Sequence, residues 1–136
     1  MSEHRMTIRI YYEDTDFSGL VYHASYLRFM ERGRTEILRE AGVGQQEMHA
    51  QMEGLAFVVR RMSIDFRRPA RMDDLITVVT VPAEIRGASM TLQQRVERDG
   101  ELLVSADVQV AVVDAQGQAQ RIPPGLRERL GGGAVI

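Results

Sequence analysis

Between Tyr11 and Tyr26 the chain reads YYEDTDFSGLVYHASY, and three carboxylates, Glu13, Asp14 and Asp16, fall within four residues. Like charges this close repel, so stability alone does not account for the cluster. A carboxylate can take a proton from water, attack an electrophilic carbonyl, hold a metal ion or cap backbone amides. Ser18, Tyr22, His23 and Ser25 stand close enough in sequence to serve any of these roles.

The rest of the composition narrows the chemistry. The chain has no Cys, which removes thiolate nucleophiles, disulfides and Cys-based zinc sites. All 17 of its Lys and Arg residues are Arg, which removes Schiff-base chemistry and the phosphate-loop lysine. Asn and Trp are also absent. What remains is Asp, Glu, three His, Ser, Thr, Tyr and Arg. A net charge of −2 argues against broad nucleic-acid binding. No apolar run approaches the ~20 residues of a membrane span, and MSEHRMTIRI lacks the apolar core of a signal peptide. A cytoplasmic setting is therefore expected.

Several readings of the acidic stretch fail on spacing. In a calcium loop, Asp14, Asp16, Ser18 and Gly19 match the opening positions, but the position that needs Glu holds Ser25. His4, His23 and His49 have no helical ligand spacing, so no metal is expected. No G-x-S-x-G elbow supports a serine triad. Two readings stay open. Asp16 or Asp14 caps the loop through its own backbone. Otherwise Asp16 lies just ahead of a helix N-terminus, whose unpaired amides polarise a carbonyl that Asp16 attacks or hydrates.

The elements around the stretch are legible. TIRIYY, residues 7–12, alternates as a strand, and 13–22 is a loop. From about Ala24 to Ala41 apolar residues recur with helical spacing, and Gly42 suits the helix end. Gly33, unfavourable inside a helix, predicts close approach to another backbone. Period-two patterns follow over 55–69, 74–86, 89–98 and 101–114, with Pro82 predicting an edge or bulge and Asp99-Gly100 a two-residue hairpin turn. Pro-Pro-Gly at 123–125 opens a short last helix, and the tail after residue 130 is expected to be disordered. Residues 1–136 thus read as one α+β domain, with one long helix across a five-stranded antiparallel sheet. One helix cannot cover both faces and both edges, which predicts edge-to-edge association.

The motif D-T-D-x-x-G-h-V-Y-H-x-x-Y (h apolar), followed by a helix and four strands, resembles the hot-dog fold thioesterases. The likeness is to the 4-hydroxybenzoyl-CoA thioesterase group, and most closely to the Tol–Pal-associated acyl-CoA thioesterases. It spans nearly the whole chain, including AFVVRRMSIDFRRPARMDD at 56–74. It implies a sheet wrapped around a central helix and hydrolysis of an acyl-CoA, with the thioester as substrate and no cofactor. By the same resemblance Asp16 is the catalytic carboxylate and His23 its companion. The amides around Tyr22 and His23 fall at the oxyanion site, and Gly19 and Val21 of the motif are placed with Tyr22 at the substrate-binding positions.

Neighbouring carboxylates would raise the pKa of Asp16 and sharpen its role as a base. The phosphates of coenzyme A favour arginine. Arg60, Arg61 and Arg86 are the candidates, with Arg67, Arg68 and Arg71 near the end of the same strand as the first two. A solvated basic face is the alternative. The resemblance further implies a homodimer or homotetramer with sites shared between subunits. A non-catalytic acyl-CoA or acyl-carrier-protein binding module on the same fold is the competing function.

Overall fold

The computed structural model describes residues 3–42 and 54–130. His49 and the tail expected to be disordered lie outside these residues. Strand β1 (His4–Arg9) leads through a 3-10 turn (Tyr12–Asp14) to helix α1 (His23–Glu40). Strands β2 (Ala56–Phe66), β3 (Leu75–Ile85), β4 (Ser89–Arg98) and β5 (Glu101–Val113) follow, then a short helix α2 (Pro124–Arg129).

The strands form one sheet in the order β1-β3-β4-β5-β2, every neighbouring pair antiparallel. β1 and β2 are therefore its two edges. The helix carries the chain from one edge to the other, so it must cross a face of the sheet. Its 18 residues span about 27 Å, enough for that crossing.

The helix sits where its pattern requires. Tyr26, Phe29, Met30, Gly33, Ile37 and Leu38 are buried, repeating every three or four residues. They meet alternate residues of the inner face: Ile76 and Val78 of β3, Leu92 and Val96 of β4, and Val104, Val108 and Val112 of β5. Gly42 ends the helix with φ 81°, a conformation that favours glycine. The hairpin between β4 and β5 turns at Asp99 and Gly100, with φ of 51° and 79°, the signs a type I′ turn demands. Pro82 satisfies both expectations for it. The register shifts between Pro82 and Glu84, and β1 pairs no further than Thr80, so β3 has one neighbour there.

Gly33 marks the closest approach of helix to sheet. A Cβ placed on it would lie 2.7 Å from Thr80 Oγ1 and 3.1 Å from Gln94 Nε2. Neither neighbour is free to move. Gln94, 1% exposed, donates from Nε2 to the Met30 carbonyl and to Thr80 Oγ1, both at 2.9 Å, and accepts from Arg34 at 2.9 Å. This buried bridge fixes the height of the helix on the sheet, and a partly broken one costs more than an apolar core. Gly33→Ala is therefore expected to destabilise the protein by about 1–3 kcal/mol through overpacking, although Ala favours helix by roughly 1 kcal/mol. Denaturant unfolding of the two proteins measures this, and a stabilised variant would contradict the packing.

Candidate active site

The loop that carries the acidic stretch is held at several points. Ile10 is fully buried, donates its amide to Asp74 (2.9 Å) and accepts from Asp73 (2.8 Å). Val21 donates to the Ala70 carbonyl at 2.9 Å. Tyr26 closes the same seam, its hydroxyl accepting the Ala70 amide at 2.9 Å. The loop and the helix start are thus bound to the segment between β2 and β3.

Asp14 is the loop's internal anchor. Its carboxylate accepts the Tyr11 amide at 2.8 Å, and Arg28 lies 3.7 Å away. Its carbonyl accepts the Tyr22 amide (2.9 Å) and the Ser25 hydroxyl (3.1 Å). Glu13 points into solvent.

Asp16 is different. It sits on a small hairpin in which Thr15 bridges to Val21 and the Asp16 amide donates to Leu20 at 3.0 Å. Gly19 donates back to the Asp16 carbonyl at 3.0 Å and takes φ 81°, which closes the turn. The Asp16 carboxylate is exposed and accepts from the amide and the hydroxyl of Ser18. The two carboxylates therefore do not act on each other as neighbours. The expected rise in the Asp16 pKa does not occur. The Ser18 hydroxyl, then the Ser18 amide, hold it below the ordinary carboxylate value, and the nearby His23 adds to this.

Asp16 faces a cleft shared with Ser18, His23, Tyr26, Phe66 and Arg68. His23, the first residue of α1, packs its ring edge-on against Phe66 with centroids 6.0 Å apart, and lies 4.6 Å from the ring of Tyr22. Val21 is buried under the cleft. The helix start leaves the amides of His23 and Ala24 without a carbonyl partner among the described residues. Tyr22, placed by resemblance at the oxyanion position, has its amide committed to Asp14 and its ring half exposed. The unpaired amides are those of His23, which the resemblance also places at the oxyanion site, and of Ala24.

Residues 11–130 match the Thioesterase-like superfamily. The chain belongs to that family. Among its relatives, the acyl-CoA thioester hydrolase YbgC of Escherichia coli is 45% identical over 121 residues, covering 88% of this chain and 89% of that protein. A probable thioesterase from Bartonella henselae shares 41% identity with a TM-score of 0.87, over 90% of this chain and all of that one. A 4-hydroxybenzoyl-CoA thioesterase, 20% identical, superposes with a TM-score of 0.89 over 95% of this chain and 99% of that one, which speaks to the fold. The hot-dog fold expected from the sequence is the fold observed.

Within this thioesterase fold the predicted arginines separate. Arg60 occupies the bulge where the β2–β5 register jumps from Val59 to Arg61. The bulge breaks the alternation expected of consecutive strand residues, and both arginines are exposed. Arg61 lies beside Ser63, Thr91 and Gln109 on the outer face. Arg86 follows the far end of β3 and pairs with Glu84 at 3.1 Å, whereas the near end of β3 adjoins the loop. None of the three lines the Asp16 cleft of its own chain. Arg67 and Arg68 do, held by Asp65 (2.9 Å) and Glu101 (3.0 Å). Sequence reasoning also missed the contact of Ser18 with the Asp16 carboxylate, although the residue two positions after an Asp is a common turn partner.

Among the described residues no three His, Asp or Glu gather around a point where a metal ion would sit. Asp14 turns inward, and His4 lies 3.4 Å from Glu40, at the opposite end of the helix from Asp16. Activity is expected to survive dialysis against EDTA. A loss restored by one divalent ion would make the Asp16 cleft a metal site.

Proposed function

We propose that this protein hydrolyses acyl-CoA thioesters to a carboxylic acid and free coenzyme A, with Asp16 as the reacting carboxylate. One observation carries the reading: an exposed, ionised carboxylate shares a cleft with His23, the first residue of a long helix, whose amide has no carbonyl partner among the described residues. A thioester carbonyl docked on the His23 and Ala24 amides is polarised toward its oxygen. Asp16 then either attacks the carbonyl carbon directly or takes a proton from a water that attacks it. The tetrahedral intermediate places its negative oxygen on the amides. Collapse breaks the carbon–sulfur bond and expels the coenzyme A thiolate. On the direct route, water cleaves the resulting anhydride. His23, packed edge-on against Phe66, forms one wall that orients the thioester. No cofactor takes part in these steps.

Arg67 and Arg68 at the cleft are well placed for the phosphates of coenzyme A. Arg60 and Arg61 lie on the exposed edge strand, outside the cleft of their own chain. No helix among the described residues is long and apolar enough to cross a membrane. Coenzyme A thioesters are made and used in the cytoplasm, which supports that setting. An acyl carrier protein presents the same phosphopantetheine thioester and is the protein-borne alternative substrate.

The test is a panel of acyl-CoA thioesters, from short aliphatic to aromatic, followed by release of free thiol. Turnover of at least one class is expected. Tight binding of the panel without thiol release would make the protein a binding module instead.

A further inference from the structure

Ser18 is bonded on both sides of its hydroxyl. The oxygen accepts the Leu20 amide at 3.3 Å, which directs its single proton toward the remaining acceptor, Asp16 Oδ1. The Ser18 amide donates to the same Oδ1 at 2.8 Å. Both bonds fall on one oxygen, and among the described residues nothing bonds Oδ2. The Ser18 backbone is itself fixed, because Gly19 closes the turn onto the Asp16 carbonyl.

We infer that Ser18 is a positioning residue, which fixes the rotation of the Asp16 carboxylate and leaves Oδ2 as the oxygen that reacts. The inference rests on Asp16 being the reacting group. A freely turning carboxylate presents either oxygen and spends part of its time facing solvent. One held by two donors keeps a single oxygen toward the cleft, and misplacement of a reacting atom is costly. The same bonds stabilise the charged form, so the group stays ready at low pH. The other charged or titratable groups facing it are His23 and Tyr26 from α1, and Arg67 and Arg68 from the segment after β2. Glu13 and Asp14 belong to its own loop, and Asp14 is turned away. Ser18→Ala removes none of these.

The experiment compares wild type, Ser18→Ala, Ser18→Thr and Asp16→Asn. In Ser18→Ala the Asp16 carboxyl, followed by carbon NMR titration, should ionise at higher pH than in wild type. The acid limb of the kcat/KM profile should move the same way, because the ionised form is active. At neutral pH kcat is expected to fall about tenfold, with KM and the thermal midpoint unchanged. Ser18→Thr keeps the hydroxyl and should restore both the titration and the rate. Wild-type titration in Ser18→Ala, a fall in rate with no shift of the limb, or failure of Thr to rescue would each overturn the inference. An active Asp16→Asn would overturn the role of Asp16 itself, whereas an inactive one beside an unchanged Ser18→Ala would overturn only the role of Ser18.

Discussion

Replacing Asp16 by Asn is expected to lower kcat by about 100-fold or more, the usual scale for loss of a general acid–base group. The side chain is exposed and supports no packing, so the fold has no reason to change. Asn keeps the size of the group and still accepts the Ser18 amide, but it neither attacks a thioester nor takes a proton from water. Substrate affinity should be nearly unchanged, so the loss appears in kcat. Asp14→Asn is the informative control, because the two carboxylates stand two residues apart. Asp14 holds the Tyr11 amide and faces Arg28 from a buried position. Its neutral replacement should cost about 1 kcal/mol of stability and change kcat only a few-fold. Steady-state kinetics and thermal melts on both variants decide this. Wild-type turnover in Asp16→Asn would sink the mechanism. Equal losses at both positions would show that the two carboxylates work as a pair.

The sequence made the scaffold readable because its periods are clean. Residues 104–113 alternate, and the buried face of β5 is the one that Val104, Val108, Val110 and Val112 mark out, with one break at Leu103, buried beside Val104 where the β4–β5 register shifts. The helix was legible for the same reason, with its limits displaced by one residue at either end. Gly33 was readable as a close approach, but the partners that make it necessary were not. Thr80 and Gln94 come from strands far along the chain, and nothing in a single sequence shows that they meet.

The site was readable only in part. Three acidic residues in a row of four look alike in sequence, and folding makes them unlike. Asp14 turns toward the Tyr11 amide, Glu13 to solvent and Asp16 to the cleft. The pKa of Asp16 was expected to rise on a repulsion that this divergence removes. Of the two amides the resemblance offers for the oxyanion, the Tyr22 amide closes the loop on Asp14, and no sequence pattern announces that bond. The arginines depended on a bulge at Arg60, and a bulge changes which way a side chain points without changing the alternation of the sequence.

The chain is expected to be at least a homodimer in solution, with light scattering giving twice the 15.3 kDa chain mass or more at micromolar concentration. Strand β2 is an edge of the sheet and carries Val58, Val59 and Phe66 at 42%, 48% and 44% exposure, an open apolar edge that another strand can cover. The outer face of β5 contributes less, since Ala111 and Val113 are already half buried. Two copies of β2 paired antiparallel about a two-fold axis would cover this row, Val58 on the outer face and Val59 and Phe66 on the helix-facing side, and extend the sheet. The same pairing runs the two strands in opposite directions. With the axis near the middle of β2, it would set Phe66 of one copy, and with it the Asp16 cleft, near the Val58–Arg61 segment of the other. A charge in that row opposes the pairing, so Val59→Asp should shift the protein toward the 15.3 kDa monomer. An uncompensated charge at a buried interface costs about 3–5 kcal/mol, which weakens association by roughly 100- to 4000-fold at 1.4 kcal/mol per tenfold. Turnover should fall with the dimer fraction and return as protein concentration is raised. A Val59→Asp monomer with full activity would refute a site shared between copies, and a wild-type monomer would refute the edge pairing on which it depends.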